Sequence, residues 1–431
     1  MTKTRPHDLL HPLSFCVFDL ETTGGNHIND KIIEIGLVRI EHLKIVDQKS
    51  FLIQPEKQIP DFIQKLTNIK ESDVDNAPII EDVIDEILAF MGDSILVAHN
   101  TSFDIPFFNS VLRRLGKEEL KNKAICTNLM TKYMIPNILS SNLNYMSKIF
   151  NLKHQKAHRA LDDALASAEL LLKYLSIFID KNIQKVNSLY YPKNKFELDR
   201  IHYKKDTPKI EIIKKLQDLK YPCSVTLKGQ EGVVLFSFVS QSTPRETEYL
   251  IGKIEEIDYE VLTIKLIGPV FQGLIELASY FSKISDRLQK ETVMKLCEFH
   301  GIDFKQVSTN EVLQFDHDFV IMNHLIPEQF IIYPLHYLHQ KMELVFRFPT
   351  HQNKLTQFIN SRSARMSQGK LKKDHLPLLI NNFLVTYLQK HQNYILLKKN
   401  DQKIASSDIS EPIEKYIEQN PNSYNFPQFY L

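Results

Sequence analysis

Two carboxylates stand side by side on what is otherwise an apolar strand. Phe15 to Leu20 reads Phe-Cys-Val-Phe-Asp-Leu, and Glu21-Thr22-Thr23-Gly24-Gly25 follows. The run suits a buried strand. Residues two apart in a strand point to the same face, so Asp19 and Glu21 project together. Neighbouring carboxylates repel, and one keeps its proton unless a cation lies between them. All-oxygen ligation favours a hard divalent ion, Mg²⁺ or Mn²⁺. The plainer alternative is a pair of solvated acids at a strand end.

Such a strand needs cover. Ile32 to Ile40 and Lys49 to Ile53 read as further strands, the latter ended by Pro55. Ile80, Val83, Ile84, Ile87, Leu88 and Met91 recur at helical spacing. Ser94 to Ala98 is a fourth strand, Phe107 to Leu115 lines a second helix, and Leu161 to Leu175 lines a last one. Strands first, then strand alternating with helix, predicts an α/β domain around a mixed sheet over residues 1–178.

At 431 residues the chain is long enough for two or three domains. Its formal net charge of +1 excludes a strongly basic protein that coats nucleic acid. The longest apolar runs are too short for a membrane-spanning helix, and Met1 to Pro12 lacks the apolar core of a signal peptide. Cys16, Cys126, Cys223 and Cys297 lie far apart with no C-x-x-C pair. Together these predict a cytoplasmic protein without disulfides or a zinc site.

Two further elements carry chemistry. His99-Asn100-Thr101-Ser102-Phe103-Asp104 follows the fourth strand, ahead of Ile105-Pro106 and a helix. Taken alone, Asp104 is equally an ordinary helix-capping aspartate. The other element is His158-Arg159-Ala160-Leu161-Asp162-Asp163-Ala164. A separation of five is about 140° around a helix, so His158 belongs on the loop before the helix if it is to meet Asp163. Asp162 competes with Asp163 as a ligand. Four acids and a histidine at strand ends and helix starts suit two-metal phosphodiester hydrolysis, in which paired cations clamp the attacking and leaving oxygens.

The order Asp19-x-Glu21-Thr22-Thr23-Gly24, His99-Asn100-x-x-Phe103-Asp104 and His158-x-x-x-x-Asp163 resembles the DEDDh exonuclease family over residues 14 to about 175. Within the family it is most similar to the proofreading subunit of bacterial DNA polymerase III. The resemblance implies an RNase H-like fold and 3′→5′ removal of nucleoside monophosphates. It implies that Asp19, Glu21 and Asp163 ligate one ion, with Asp19 bridging to a second held by Asp104. By the same resemblance His158 is the general base, a task that its near-neutral intrinsic pKa suits. Thr22 and Thr23 would sit at the 3′-terminal nucleotide, Phe103 beside it or in the core, and Asn100 would support the site by hydrogen bonds. The expected substrate is a single-stranded or frayed DNA 3′ end. RNA 3′-end trimming is the alternative with the same chemistry, and a scaffold or regulator acting through its C-terminal half is the alternative of another class.

Beyond residue 178 the sequence carries no resemblance to a known family. Residues 181–228 hold twelve Lys/Arg against five Asp/Glu, with Tyr190, Tyr191 and Tyr203 among them. Residues 179–221 therefore read as a basic linker with a helix, alternatively as a track for nucleic-acid phosphates. Residues 222–431 read as an α+β region of unknown fold. Strands at Ser224–Leu227, Gly232–Val239, Glu248–Ile257 and Tyr259–Ile267 suggest a small antiparallel sheet or barrel. A helical stretch Leu274–Phe299, strand-like Ile331–Phe348, and helices near Gln352–Ile359 and His375–Gln389 follow. Ser361–Arg365 and Gly369–Lys373 read as a flexible, solvated basic loop, alternatively as a contact for phosphates. The aromatic tail Tyr424–Leu431 is either self-docked or a contact for a polymerase or sliding clamp.

Overall fold

The computed structural model describes residues 9–135, 137–154, 157–180, 187–190, 198–340, 342–368, 376–391, 393–398 and 404–420. The chain divides into two compact units between Leu198 and Asp199.

In the first unit β1 (Phe15–Thr22), β2 (Ile32–Glu41) and β3 (Lys44–Leu52) form an antiparallel meander. Next come α1 (Ile80–Met91), β4 (Ile95–Ala98), α2 (Thr101–Arg114), β5 (Ala124–Cys126), α3 (Thr127–Met134), α4 (Leu143–Phe150) and α5 (Ala160–Asp180). The strand order is β3-β2-β1-β4-β5, with β4 parallel to both β1 and β5. This is the mixed sheet that the strand pattern predicts, in the RNase H-like fold that the resemblance implies. Period-two alternation sorts β1 into two faces. Cys16, Phe18 and Leu20 join Ile35 and Leu37 of β2 and pack under Val83, Ile84 and Ile87 of α1 and Phe107, Phe108 and Val111 of α2. Burying each such side chain contributes about 1.5–3 kcal/mol. The other face, with Val17, Asp19 and Glu21, lies under α5.

One detail of pairing makes the site. β4 pairs with β1 only from Phe15 to Val17. Phe18 to Thr22 therefore run on past the paired part of β4. In open α/β sheets ligands bind outside the carboxyl ends of the parallel strands.

The second unit begins inside the stretch read as a linker, which contains β6 (Arg200–Lys204) and α6 (Lys209–Asp218). With β7 (Cys223–Lys228), β8 (Val234–Ser240), α7 (Pro244–Glu256) and β9 (Val261–Leu266), they form an antiparallel sheet in the order β6-β9-β7-β8. Its outer strands do not pair with each other among the described residues, so the sheet is open and not a barrel. Glu248–Ile257 is helical, not a strand. Thr243 and Glu246 form a capping box, Pro244 sits in the first turn, and Leu250 and Ile254 are buried four apart. The β-branched residues of this stretch obscure that signal.

Leu274–Phe299 is two helices, α8 (Val270–Tyr280) and α9 (Asp286–His300), separated by a turn at Phe281–Lys283. The strand-like region Ile331–Phe348 contains β11 (Phe330–Pro334) and β12 (Leu344–Phe346). They form a second antiparallel sheet, β12-β11-β10-β13, with β10 (Phe319–Asn323) and β13 (Ile395–Leu397). Ser361–Arg365 is not a loop but part of α10 (Gln352–Ser367). α11 (Leu378–Lys390) and α12 (Ser406–Gln419) complete the unit. Gly369–Lys373, Tyr191 and the tail Tyr424–Leu431 lie outside the described residues. No described helix is long and apolar enough to cross a membrane.

Candidate active site

Three elements converge at the exposed end of β1. Glu21, His158 and Asp163 each offer a ligand atom, and these atoms lie within 4.8 Å of one another. Asp162 is not in this group. His158 stands on the loop before α5 with a left-handed backbone, φ 63°, and its amide donates to Asp163 Oδ2 at 3.3 Å. Asp104 is not a helix cap. Asn100 occupies that position, and Asp104 lies within the first turn of α2, 3% exposed. The Asn100 carbonyl accepts the amides of Phe103 (2.9 Å) and Asp104 (3.3 Å), so Asn100 shapes the turn that carries the acid.

The electrostatics are those of crowded negative charge. Burial, then Asp104, Asp163, Glu21 and Glu34, hold the Asp19 carboxyl well above the ordinary carboxylate range. Burial, then Asp163, Glu34 and Asp104, push Glu21 up to about 8, opposed by the Arg159 guanidinium. Burial pushes Asp104 up to about 7, opposed by backbone hydrogen bonds from its own amide and that of Leu20. Such acids retain protons unless a cation takes their place. The carboxylate oxygens fit a hard divalent ion, and the His158 imidazole stands beside them.

The two threonine hydroxyls bond within the loop after β1. The Thr22 hydroxyl donates to the Gly24 carbonyl at 2.7 Å. Thr23 Oγ1 donates to Asp30 Oδ1 at 3.3 Å and accepts the Lys31 amide at 3.0 Å. Their hydroxyls thus shape the loop after β1. Asp30 is its hub, accepting also from the Asn26 amide at 2.9 Å and from Lys57 at 2.7 Å. A Cβ on Gly24 would come within 2.5 Å of Asp30 Oδ2, which is why a glycine follows the threonines. Phe103 is half-buried at the core edge, its ring 5.7 Å from that of Phe107.

Sequence reasoning passes over three residues here. His154 Nε2 lies 2.5 Å from Asp163 Oδ1, with its other nitrogen 3.1 Å from Ser147 Oγ. Glu34, buried, and Arg159, partly exposed, form an ion pair beside Glu21. His154 stands in a polar run with no periodicity to mark it. Glu34, by contrast, is the one charged side chain in the apolar run Ile32 to Val38, and that is a usable signal.

Residues 16–171 match the family model described as an exonuclease, RNase_T. The chain is 31% identical over 308 residues to a PolC-type DNA polymerase III of Caldanaerobacter subterraneus subsp. tengcongensis, covering 69% of this chain and 20% of that protein. It is 41% identical over 157 residues to the PolC-type DNA polymerase III of Clostridium perfringens, covering 36% of this chain and 11% of that one. It is 31% identical over 189 residues to the 3′-5′ exonuclease DinG of Staphylococcus epidermidis, covering 44% of this chain and 21% of that one. The chain thus spans about a tenth to a fifth of the length of these curated relatives. The first unit is less than half the chain, so the alignment covering 69% of it necessarily enters the second unit. That likeness is absent from the sequence motifs alone. Among solved structures, exonuclease X in complex with 5′ overhanging duplex DNA is 28% identical, covers 41% of this chain and 98% of its own, and has a TM-score of 0.33. The nuclease domain of 3′hExo, a DEDDh family member bound to rAMP, is 20% identical, covers 41% and 96%, and has a TM-score of 0.35.

Proposed function

We propose that this chain, whose residues 16–171 form an exonuclease domain of the RNase_T family, removes nucleoside 5′-monophosphates from DNA 3′ ends in proofreading or repair. The observation that carries the reading is the meeting of Glu21, His158 and Asp163 within 4.8 Å, beside Asp19 and Asp104. Asp19, Glu21 and Asp163 would hold one divalent ion, and Asp104, with Asp19 bridging, a second. Bound there, Mg²⁺ or Mn²⁺ supplies positive charge for the phosphate oxygens and lowers the pKa of the attacking water.

His158 accepts the proton of that water at its imidazole as the water oxygen closes on phosphorus. The bond from phosphorus to the 3′ oxygen of the penultimate nucleotide breaks, and that oxygen takes up a proton to leave a new 3′-hydroxyl. The phosphate departs on the released nucleotide. Gly24, Thr22 and Thr23 keep the loop after β1 folded at the end of the site, and Phe103 offers its exposed edge to the terminal nucleotide. DNA is favoured over RNA because the extended likeness is to proteins named as DNA polymerases, and a DNA polymerase is the partner we propose.

The test uses 5′-labelled single-stranded DNA and RNA of one sequence, with Mg²⁺ or Mn²⁺, and compares wild type with Asp19→Ala. A ladder shortening from the 3′ end of DNA, weakened by at least several orders of magnitude in the variant, is expected. Variant activity within about tenfold of wild type would remove the acids from the mechanism. Preference for RNA would reassign the substrate.

A further inference from the structure

In the register of β1 with β2, Glu21 lies opposite Glu34 and Asp19 opposite Gly36. The two β2 residues are two apart, share a face, and meet the start of α5. Glu34 is 1% exposed. Its carboxylate accepts Arg159 Nε–H at 3.0 Å, Arg159 Nη2–H at 2.8 Å and the Ala160 amide at 3.0 Å, and the Ser50 hydroxyl donates to it at 3.4 Å. At Gly36 the helix touches the strand itself. A Cβ there would come within 2.3 Å of the Ala160 carbonyl group and 2.4 Å of the Leu161 nitrogen. The first turn of α5 is thus seated on Gly36 and hooked by Glu34, directly across from the two strand acids.

The hooked turn carries the rest of the site. His158 precedes Arg159, and the Asp163 amide donates to the Arg159 carbonyl at 2.9 Å. An ion pair with its acid buried and its guanidinium 31% exposed adds little net stability once desolvation is counted, so stability alone does not explain this one. A forked guanidinium fixes distance and direction at once, and a misplacement of about 1 Å costs on the order of 10²-fold in rate. We infer that Glu34 and Arg159 are positioning residues, which set the height of His158 and Asp163 above Asp19 and Glu21.

The inference rests on the exonuclease reading, and Glu34→Gln tests it by keeping shape while removing charge. The expected result has four parts: kcat on single-stranded DNA lower by roughly 10–100-fold, KM within about threefold, Mn²⁺ affinity by calorimetry lower by about tenfold, and faster hydrogen exchange at the Ala160 amide. Arg159→Lys, which keeps a cation and one hydrogen bond, should lie between wild type and Arg159→Ala in kcat. Faster exchange at Ala160 with unchanged kcat and Mn²⁺ affinity would overturn the inference. So would a fall in Tm with kcat unchanged, since that describes a purely structural pair. Should Glu34→Gln fail to fold, Arg159→Lys is judged by the same criteria. Failure of the exonuclease reading would show separately, as cleavage that survives Asp19→Ala. The exchange and Mn²⁺ measurements would then decide the pair without it.

Discussion

Glu246 and Asp19 are both recessed acids, one in each unit, and their surroundings are opposite. Glu246 is 2% exposed, and its Oε2 accepts the Gln241 amide at 3.0 Å, the Thr243 amide at 3.1 Å and the Thr243 hydroxyl at 2.8 Å. Those donors meet the carboxylate where it stands. Asp19 is held from the charged form by burial and then by the acids that face it. The buried histidines of the second unit are quiet as well, since burial pushes His300 and His324 down to about 4 and keeps them neutral. In the second unit Glu246 has its donors and these two histidines are neutral, whereas the first unit crowds Asp19, Glu21 and Asp104 together with raised pKa values. Acids crowded in this way hold protons until a cation replaces them, and perturbed groups of this kind gather at functional sites. Glu34 lies within the site yet resembles Glu246, being surrounded by donors, which suits support better than chemistry.

This contrast can be broken or sharpened by measurement. After Asp19→Ala, the largest effect is expected at His158. His158→Ala should slow turnover by roughly 10²–10⁴-fold while Mn²⁺ binding persists in calorimetry, and an unchanged pH–rate profile would assign the base elsewhere. A smaller effect concerns protons. Unfolded, Glu21 and Asp104 titrate near 4, but folded and without metal they titrate at about 8 and about 7. The metal-free fold therefore binds more protons in that window, and its stability falls as pH rises through it. A divalent cation competes with those protons. The gain in Tm on adding Mg²⁺ should thus be several degrees larger near pH 8.5 than near pH 6, and equal gains would break the contrast. The smallest effect belongs to the second unit. Glu246→Ala should destabilise it by roughly 1–3 kcal/mol in urea unfolding, with cleavage of a short oligonucleotide within about twofold of wild type. A large loss of cleavage would mean that the units do not act separately.

Local pattern was enough for a good part of this molecule. The apolar run of β1, the β-branched run of β2 and the spacing of Ile80 to Met91 and Leu161 to Leu175 each encode their element within a few residues, so period alone reveals them. The acids and His158 were legible for the same reason, because each falls on a strand end or helix start that its own neighbours define. The three-residue β5, the edge strand β6 in its basic surroundings and the helix Pro244–Glu256 escaped, since short strands and β-branched helices read much alike until packing decides between them. The selection of Asp163 over Asp162 at the site and the contacts of His154 and Arg159 depend on how α5 is docked. Docking is set by Gly36 and Glu34, more than 120 residues earlier in the chain. Hydrophobic period and capping act over three or four residues and are written locally, whereas register and close approach across a sheet exist only once distant segments have packed together.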